Sequence, residues 1–301
     1  MRARFVADGY RLAWWVVRRL PLRLVSALGN LAADIAARRG GRGVQRLREN
    51  LARVAPSADL DALTRAALRS YARYWIEVFR LPGLSTDQVV GRMRILHDER
   101  IRDGYASGRG LILALPHMAN WDHAGAWLVA SGVPFTTVAE RLRPEALFDQ
   151  FVAFREGLGM HVVPLTGGAS SPSDHLRQVL TAGGALCLVA DRDLSESGIP
   201  VQFFGETATM PAGPALLAVR TGAVLLPVTL WWDDPRPGSP LTAHIHEEVV
   251  DPGTGSLTDR VSAMTQALAD AFARDIAEHP QDWHMLARLW RADRGSGRAA
   301  A

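Results

Sequence analysis

The residues best suited to chemistry stand in the run His117-Met-Ala-Asn-Trp-Asp122. Imidazole titrates near neutrality, so a histidine can take a proton from an alcohol and hand it to a leaving group. A carboxylate on the second ring nitrogen fixes the tautomer and steadies the imidazolium. The spacing allows this pairing if the chain turns sharply after Pro116 and Asp122 enters the first turn of a helix. His117 is therefore read as a general base and Asp122 as the acid that orients it. A histidine near an acid is a common arrangement, and this one gains its weight from position. Leu111-Ile-Leu-Ala-Leu115 reads as a buried parallel strand. Pro116 ends its ladder, and His117 follows at the C-terminal end, where open α/β sheets gather reacting groups.

Other polar residues close other apolar runs. Glu140 follows the strand Val133–Val138, where its carboxylate could accept hydroxyls, and Arg141 and Arg143 beside it suit phosphate contacts. Asp191-Arg-Asp193 ends the apolar run Ala185–Ala190. Arg192 fits a bidentate phosphate contact or an ion pair inside its own loop. Arg155 lies near the end of a helix spanning Pro144–Gly157, as a phosphate or carbonyl contact or as a surface arginine paired with Glu156. Glu206 follows Phe203-Phe-Gly205, with a carboxylate able to accept hydroxyls. His123 is read as a neighbour of the site, and His284 as packing or a cap.

Several chemistries are disfavoured. Ser170, Ser171 and Ser173 lie in a turn without the Gly-x-Ser-x-Gly pattern of an activated serine. Cys187 sits in an apolar run and reads as a small buried hydrophobe. His244 and His246 alternate on a strand, but no third ligand stands near them in sequence. There is no cysteine cluster and no His-Glu-x-x-His pattern, so no metal is expected. No glycine-rich nucleotide loop follows a strand.

The elements that must position these groups are an α/β set. Strands alternate with helices from about residue 92 onward, which predicts a mostly parallel central sheet flanked by helices. An N-terminal helical extension precedes it. The expected organisation is one domain over 1–290 and a disordered Gly/Arg/Ala tail over 291–301. Leu241–Val249 reads as an edge strand, and Trp283–Trp290 as a closing helical turn or two. Within 1–40, Leu20, Leu24, Leu28, Leu31 and Ile35 share one helical face. Tyr10, Trp14 and Trp15 add amphipathic rings, and Arg11, Arg18, Arg19 and Arg23 add charge. That combination suits an anionic membrane surface, or a helix pair packed on its own domain. No stretch approaches the ~20 apolar residues of a membrane span.

The chain has 301 residues, 48% of them hydrophobic, enough for a large core. Its net charge is only +3, and its arginines form no aromatic-interleaved stripe, which excludes nucleic acid as the expected partner. One cysteine excludes an internal disulfide. A monomer is the default expectation.

The His-x4-Asp pattern at 117–122 resembles that of the glycerolipid and lipid A acyltransferases. Ala190-Asp-Arg-Asp193, Phe203-Phe-Gly-Glu206, Met210-Pro-Ala-Gly-Pro214 and Pro280-Gln-Asp-Trp-His-Met285 follow in order. With them, residues 5–292 resemble the actinobacterial phosphatidylinositol mannoside acyltransferases (PatA-type) of the lipid A biosynthesis and lysophospholipid acyltransferase superfamily. Only Gly205-Glu-Thr207 stands where the glycerol-3-phosphate branch would show Pro-Glu-Gly-Thr-Arg, which disfavours that branch. Arg155 and Asp191 match residues of the family's second and third motifs. Asp191 would hold the histidine region together or bind the acceptor sugar.

The resemblance implies transfer of a palmitoyl-type chain from acyl-CoA to the 6-hydroxyl of the mannose on inositol O-2. It implies no tightly bound cofactor, palmitoyl-CoA as donor substrate with Arg141 and Arg143 toward its phosphates, and a peripheral place on the cytoplasmic face of the plasma membrane. The competing readings are the same chemistry on another glycolipid or a lysophospholipid, and a non-catalytic lipid-binding protein.

Overall fold

The computed structural model describes residues 14, 16–140, 145–165, 172–193 and 198–295. The N-terminal helices α1 (Leu22–Arg39), α2 (Arg42–Val54) and α3 (Leu60–Arg80) form the extension. Helix α3 begins where Asp59 accepts hydrogen bonds from the amides of Asp61 and Ala62, which satisfies donors the first turn leaves open. Helix α1 lies close on α3 because Gly29 has no side chain: a Cβ there would stand 2.7 Å from Ile76 Cδ1. Val25 and Ala33 face inward, whereas Leu24, Leu28, Leu31 and Ile35 are exposed.

The alternating part runs α4 (Thr86–Gly91), β1 (Met93–Leu96), α5 (Asp98–Ala106), β2 (Leu111–Leu115), α6 (Trp121–Ala130), β3 (Phe135–Ala139), α7 (Glu145–Glu156), β4 (His161–Pro164), α8 (Pro172–Thr181) and β5 (Ala185–Val189). It continues with β6 (Ile199–Phe203), β7 (Glu206–Met210), α9 (Gly213–Thr221), β8 (Val224–Trp232), β9 (Leu241–Ile245), α10 (Leu257–Glu278) and the short α11 (Arg291–Gly295). Seven strands make the main sheet in the order β1-β9-β8-β2-β5-β3-β4. Every neighbouring pair is parallel except β8 and β9. All five residues of β2 are buried, as expected for a parallel strand covered on both faces. Its neighbours are in register, with Leu111 opposite both Ala185 and Val224. The C-terminal ends of β2, β5 and β3 therefore lie side by side and carry His117, Asp191–Asp193 and Glu140 to one edge.

Four local expectations are corrected. Strand β9 is internal, between β1 and β8; the polar side chains that suggested an edge find partners inside, Thr242 on Asp233 and His244 on Asp275. Trp283–Trp290 is not helical. Its backbone pairs with distant segments instead, with antiparallel bridges from Met118 to Trp283 and from Ala208 to Trp290. Phe203-Phe-Gly-Glu206 is the turn of a hairpin whose second strand, β7, the sequence reading missed. Phe204 and Gly205, at φ 51° and 79°, form the two-residue loop that matches strand twist. Arg291–Gly295, assigned to the disordered tail, is helical, and Asp293 pairs with Arg53 at 2.7 Å. Residues 296–301 lie outside the described residues. No helix among the described residues is long and apolar enough to cross a membrane.

Candidate active site

The loop after β2 turns at Pro116 and presents His117, whose side chain is about one quarter exposed. Its Nδ1 lies 2.5 Å from Asp191 Oδ1, and its backbone N–H donates to Asp191 Oδ2 at 2.9 Å. The Trp283 indole N–H donates to the same Oδ2 at 2.9 Å. Asp191 is completely buried. Burial opposes its charge, but the imidazole and the donors from His117 and Trp283 outweigh that and hold its carboxyl below the ordinary aspartate range. The loop is tied down on its other side. Ala119 donates to Asp282 O at 2.8 Å, and His284 N–H donates to His117 O at 2.7 Å. Ala119 has a left-handed φ of 44°, a conformation that costs a non-glycine residue of order 1–3 kcal/mol and is kept where the surroundings impose it.

Asp122 is differently engaged. The carboxylate on His117 Nδ1 is that of Asp191, whereas Asp122 accepts Arg155 Nε at 2.7 Å and the Tyr74 hydroxyl at 2.9 Å. The reason is direction. Asn120 caps α6 by accepting the His123 amide, and the first turn then points Asp122 inward, where it is buried. Arg155, near the end of α7, arrives from the opposite side. It is not the surface partner of Glu156: its side chain is only 19% exposed, and it is spent on Asp122.

This second cluster forms one end of a narrow apolar cavity of about 80 Å³, the volume open to a water's centre. Trp121, Asp122, Trp127 and Arg155 line it, and so do residues of six neighbouring strands, from Met93 on β1 through Ala243 and Val228 to Leu113, Cys187 and Thr137 on β3. Strand spacing makes that width about 24 Å. Trp127 and Leu128 line the cavity. Cys187 is a lining residue whose thiol burial pushes up, so it is no nucleophile.

The remaining expectations separate. Glu140 and Arg192 meet at 3.5 Å above the ends of β3 and β5, both partly exposed. Glu206 is carried off on the β6–β7 hairpin, where it pairs with Arg53 at 3.0 Å. Arg141 and Arg143, with Ser170 and Ser171, lie outside the described residues. His123 is buried and bonds Val89 O at 2.9 Å, fastening α6 to α4. His284 is buried with its Nε2 2.8 Å from Ser70 Oγ, and burial pushes its pKa down to about 3, so it is neutral packing. Tyr74 and Trp283 were not foreseen as site residues. Trp283 had a signal in the Pro280–Met285 motif; Tyr74 had none beyond its place in an amphipathic helix.

Chemically, the arrangement pairs an imidazole and a buried carboxylate with an apolar cavity lined by the neighbouring Trp121. The amides of His117, Met118 and Ala119 already donate to Asp191, Pro116 and Asp282, so the charge on a reacting carbonyl must be met by other donors.

The family model described as bacterial lipid A biosynthesis acyltransferase matches residues 6–292. A protein of Mycolicibacterium smegmatis named phosphatidylinositol mannoside acyltransferase is 46% identical over 97% of this chain and 93% of its own length. One of the same name from Mycobacterium tuberculosis strain H37Rv is 44% identical over 97% of this chain and 90% of its own. A histidine at the strand ends, a buried carboxylate behind it and a match over nearly the whole length lead to one conclusion: the chain belongs to the bacterial lipid A biosynthesis acyltransferase family and is an acyltransferase.

Proposed function

We propose that the protein moves a palmitoyl-type chain from acyl-CoA to the 6-hydroxyl of the mannose on inositol O-2 of phosphatidylinositol mannosides; the names of its relatives support the acyl transfer and the mannoside acceptor. The observation that carries the reading is His117 held on a buried Asp191 at the strand ends, with an apolar cavity lined by Trp121, whose ring is 5.4 Å from that of His117, and by Asp122. A thioester is already activated, so no enzyme-bound acyl intermediate is needed. His117 takes the sugar hydroxyl's proton as the oxygen attacks the thioester carbonyl. The tetrahedral intermediate expels the CoA thiolate, and the imidazolium returns the proton to it. Asp191 takes the orienting role that spacing had suggested for Asp122. A base so placed contributes ~10²–10⁴ in rate, and alignment of the two substrates supplies much of the rest.

In this reading Asp122, Arg155 and Tyr74 hold the wall of the acyl cavity. Each methylene buried there contributes ~0.8 kcal/mol. Glu140 and Arg192 stand over the strand ends as contacts for sugar hydroxyls and phosphate. The exposed leucines of α1, with Arg18, Arg19 and Arg23 near them, suit an anionic membrane surface on the cytoplasmic side, where acyl-CoA is supplied.

The test is a purified-protein assay of CoA release and lipid products with palmitoyl-CoA and a panel of phosphatidylinositol mannosides, other glycolipids and lysophospholipids. Acylation of the mannoside, abolished by His117→Ala, is expected. Preference for another acceptor refutes the substrate, and CoA release indifferent to His117→Ala refutes the mechanism.

A further inference from the structure

Away from the catalytic edge, the fold completes a group that the sequence left one ligand short. His244 lies on β9 and His246 follows one residue past its end, and their ring centroids are 4.0 Å apart. Asp275, in the last turn of α10, reaches both. Its Oδ2 lies 2.8 Å from His244 Nδ1 and 3.1 Å from His246 Nε2. The third group that neighbouring sequence lacks is thus supplied by a distant helix.

The spacing is that of a coordination shell. A cation bound at 2.0–2.1 Å in tetrahedral geometry separates its ligand atoms by about 3.3 Å, and these three atoms all lie within 4.8 Å of one another. The donor set, two imidazoles and a carboxylate, suits first-row transition cations. Thr229 Oγ hydrogen-bonds the Asp275 carboxylate, and such a partner fixes a ligand's orientation. An open pocket of about 860 Å³ lined by all three residues gives access from solvent. His97 lines it too, at the end of β1, with its ring centroid 5.7 Å from that of His244.

We propose that His244, His246 and Asp275 form a binding site for a divalent transition cation, with Zn²⁺ as the reference ion and water or His97 in the fourth position. Such an ion clips the sheet at β9 to the C-terminal turn of α10. Only a few residues later the same chain delivers Trp283 to Asp191. The role is therefore structural, remote from the substrates.

The experiment uses tag-free, full-length protein stripped with EDTA, with Co²⁺ as a spectroscopic probe and Zn²⁺ followed by calorimetry. The expected result is one equivalent of Co²⁺ with the visible bands of four-coordinate nitrogen and oxygen ligation, displaced by Zn²⁺. At a free Zn²⁺ concentration 100 times Kd the folding equilibrium constant rises about 100-fold. His244→Gln, at a partly exposed side chain that tolerates change, is expected to abolish the bands. It should weaken binding by at least the roughly 10–100-fold seen when a ligand's support is removed. His161→Gln, in the other close histidine pair, should leave binding unchanged. Wild-type protein that takes up no Co²⁺ with a four-coordinate spectrum overturns the proposal whether or not any variant folds. So does folded His244→Gln that binds like wild type, or loss of binding in His161→Gln.

Discussion

Replacing Asp191 by asparagine separates orientation of the base from every other role of the loop. Three donors converge on this carboxylate: His117 Nδ1 on Oδ1, and the His117 amide and Trp283 indole on Oδ2. The last two can only donate. Asparagine satisfies both by placing its oxygen at the Oδ2 position, which turns its NH₂ toward His117 Nδ1. That nitrogen must then accept, so the ring's proton moves to Nε2 and the ring can no longer take a proton there. The shape and two of three hydrogen bonds survive, so the fold should survive too. The same tautomer reversal in serine proteases lowers kcat by about 10⁴, and a fall of ~10³–10⁴ is expected here. The assay is CoA thiol release under saturating palmitoyl-CoA and acceptor, with thermal unfolding run beside it. The KM for palmitoyl-CoA should change little, because Asp191 does not line the cavity. Folded Asp191→Asn within tenfold of wild-type kcat would refute the tautomer argument and return the orienting role to Asp122.

Other expectations concern stability and the cavity. Asp122→Ala leaves the Arg155 guanidinium without its carboxylate partner; breaking a largely buried pair costs about 3 kcal/mol, a fall in Tm of roughly 5 °C by calorimetry for a chain of this length, while Tyr74→Phe removes one hydrogen bond and costs about 1 kcal/mol. Ala243→Leu fills the cavity where it passes under β9, and each donor methylene that no longer fits lowers kcat/KM about fourfold, so competition between palmitoyl-CoA and a shorter donor should shift to the shorter one. Burial raises the Asp282 carboxyl to about 6. A raised carboxyl stabilises the fold below the unfolded pKa of about 3.9, and that stability is lost as pH rises through the folded value. Asp282→Asn should therefore gain stability over wild type between pH 4 and 7, by up to about 3 kcal/mol, and denaturant titrations showing a pH-independent difference would contradict this.

The local order of elements was legible because it is written in short-range patterns. Five apolar residues before Pro116 make β2 whatever surrounds them, and the Leu24–Ile35 spacing makes one helical face. His117 was legible for the same reason, since a strand end is a local event. Which carboxylate meets its Nδ1 was not. Asp122 is five residues away and Asp191 is seventy-four, but β2 and β5 are neighbours in register, and a first helical turn aims Asp122 the other way. Sequence distance says little about reach once a parallel sheet has formed. Trp283, Tyr74 and Asp275 belong to the same class: each acts on a partner brought by a different element. The residue types were enough to name an imidazole chemistry. The pairing of charges, and the cavity between six strands, are long-range packing outcomes that no spacing along the chain encodes.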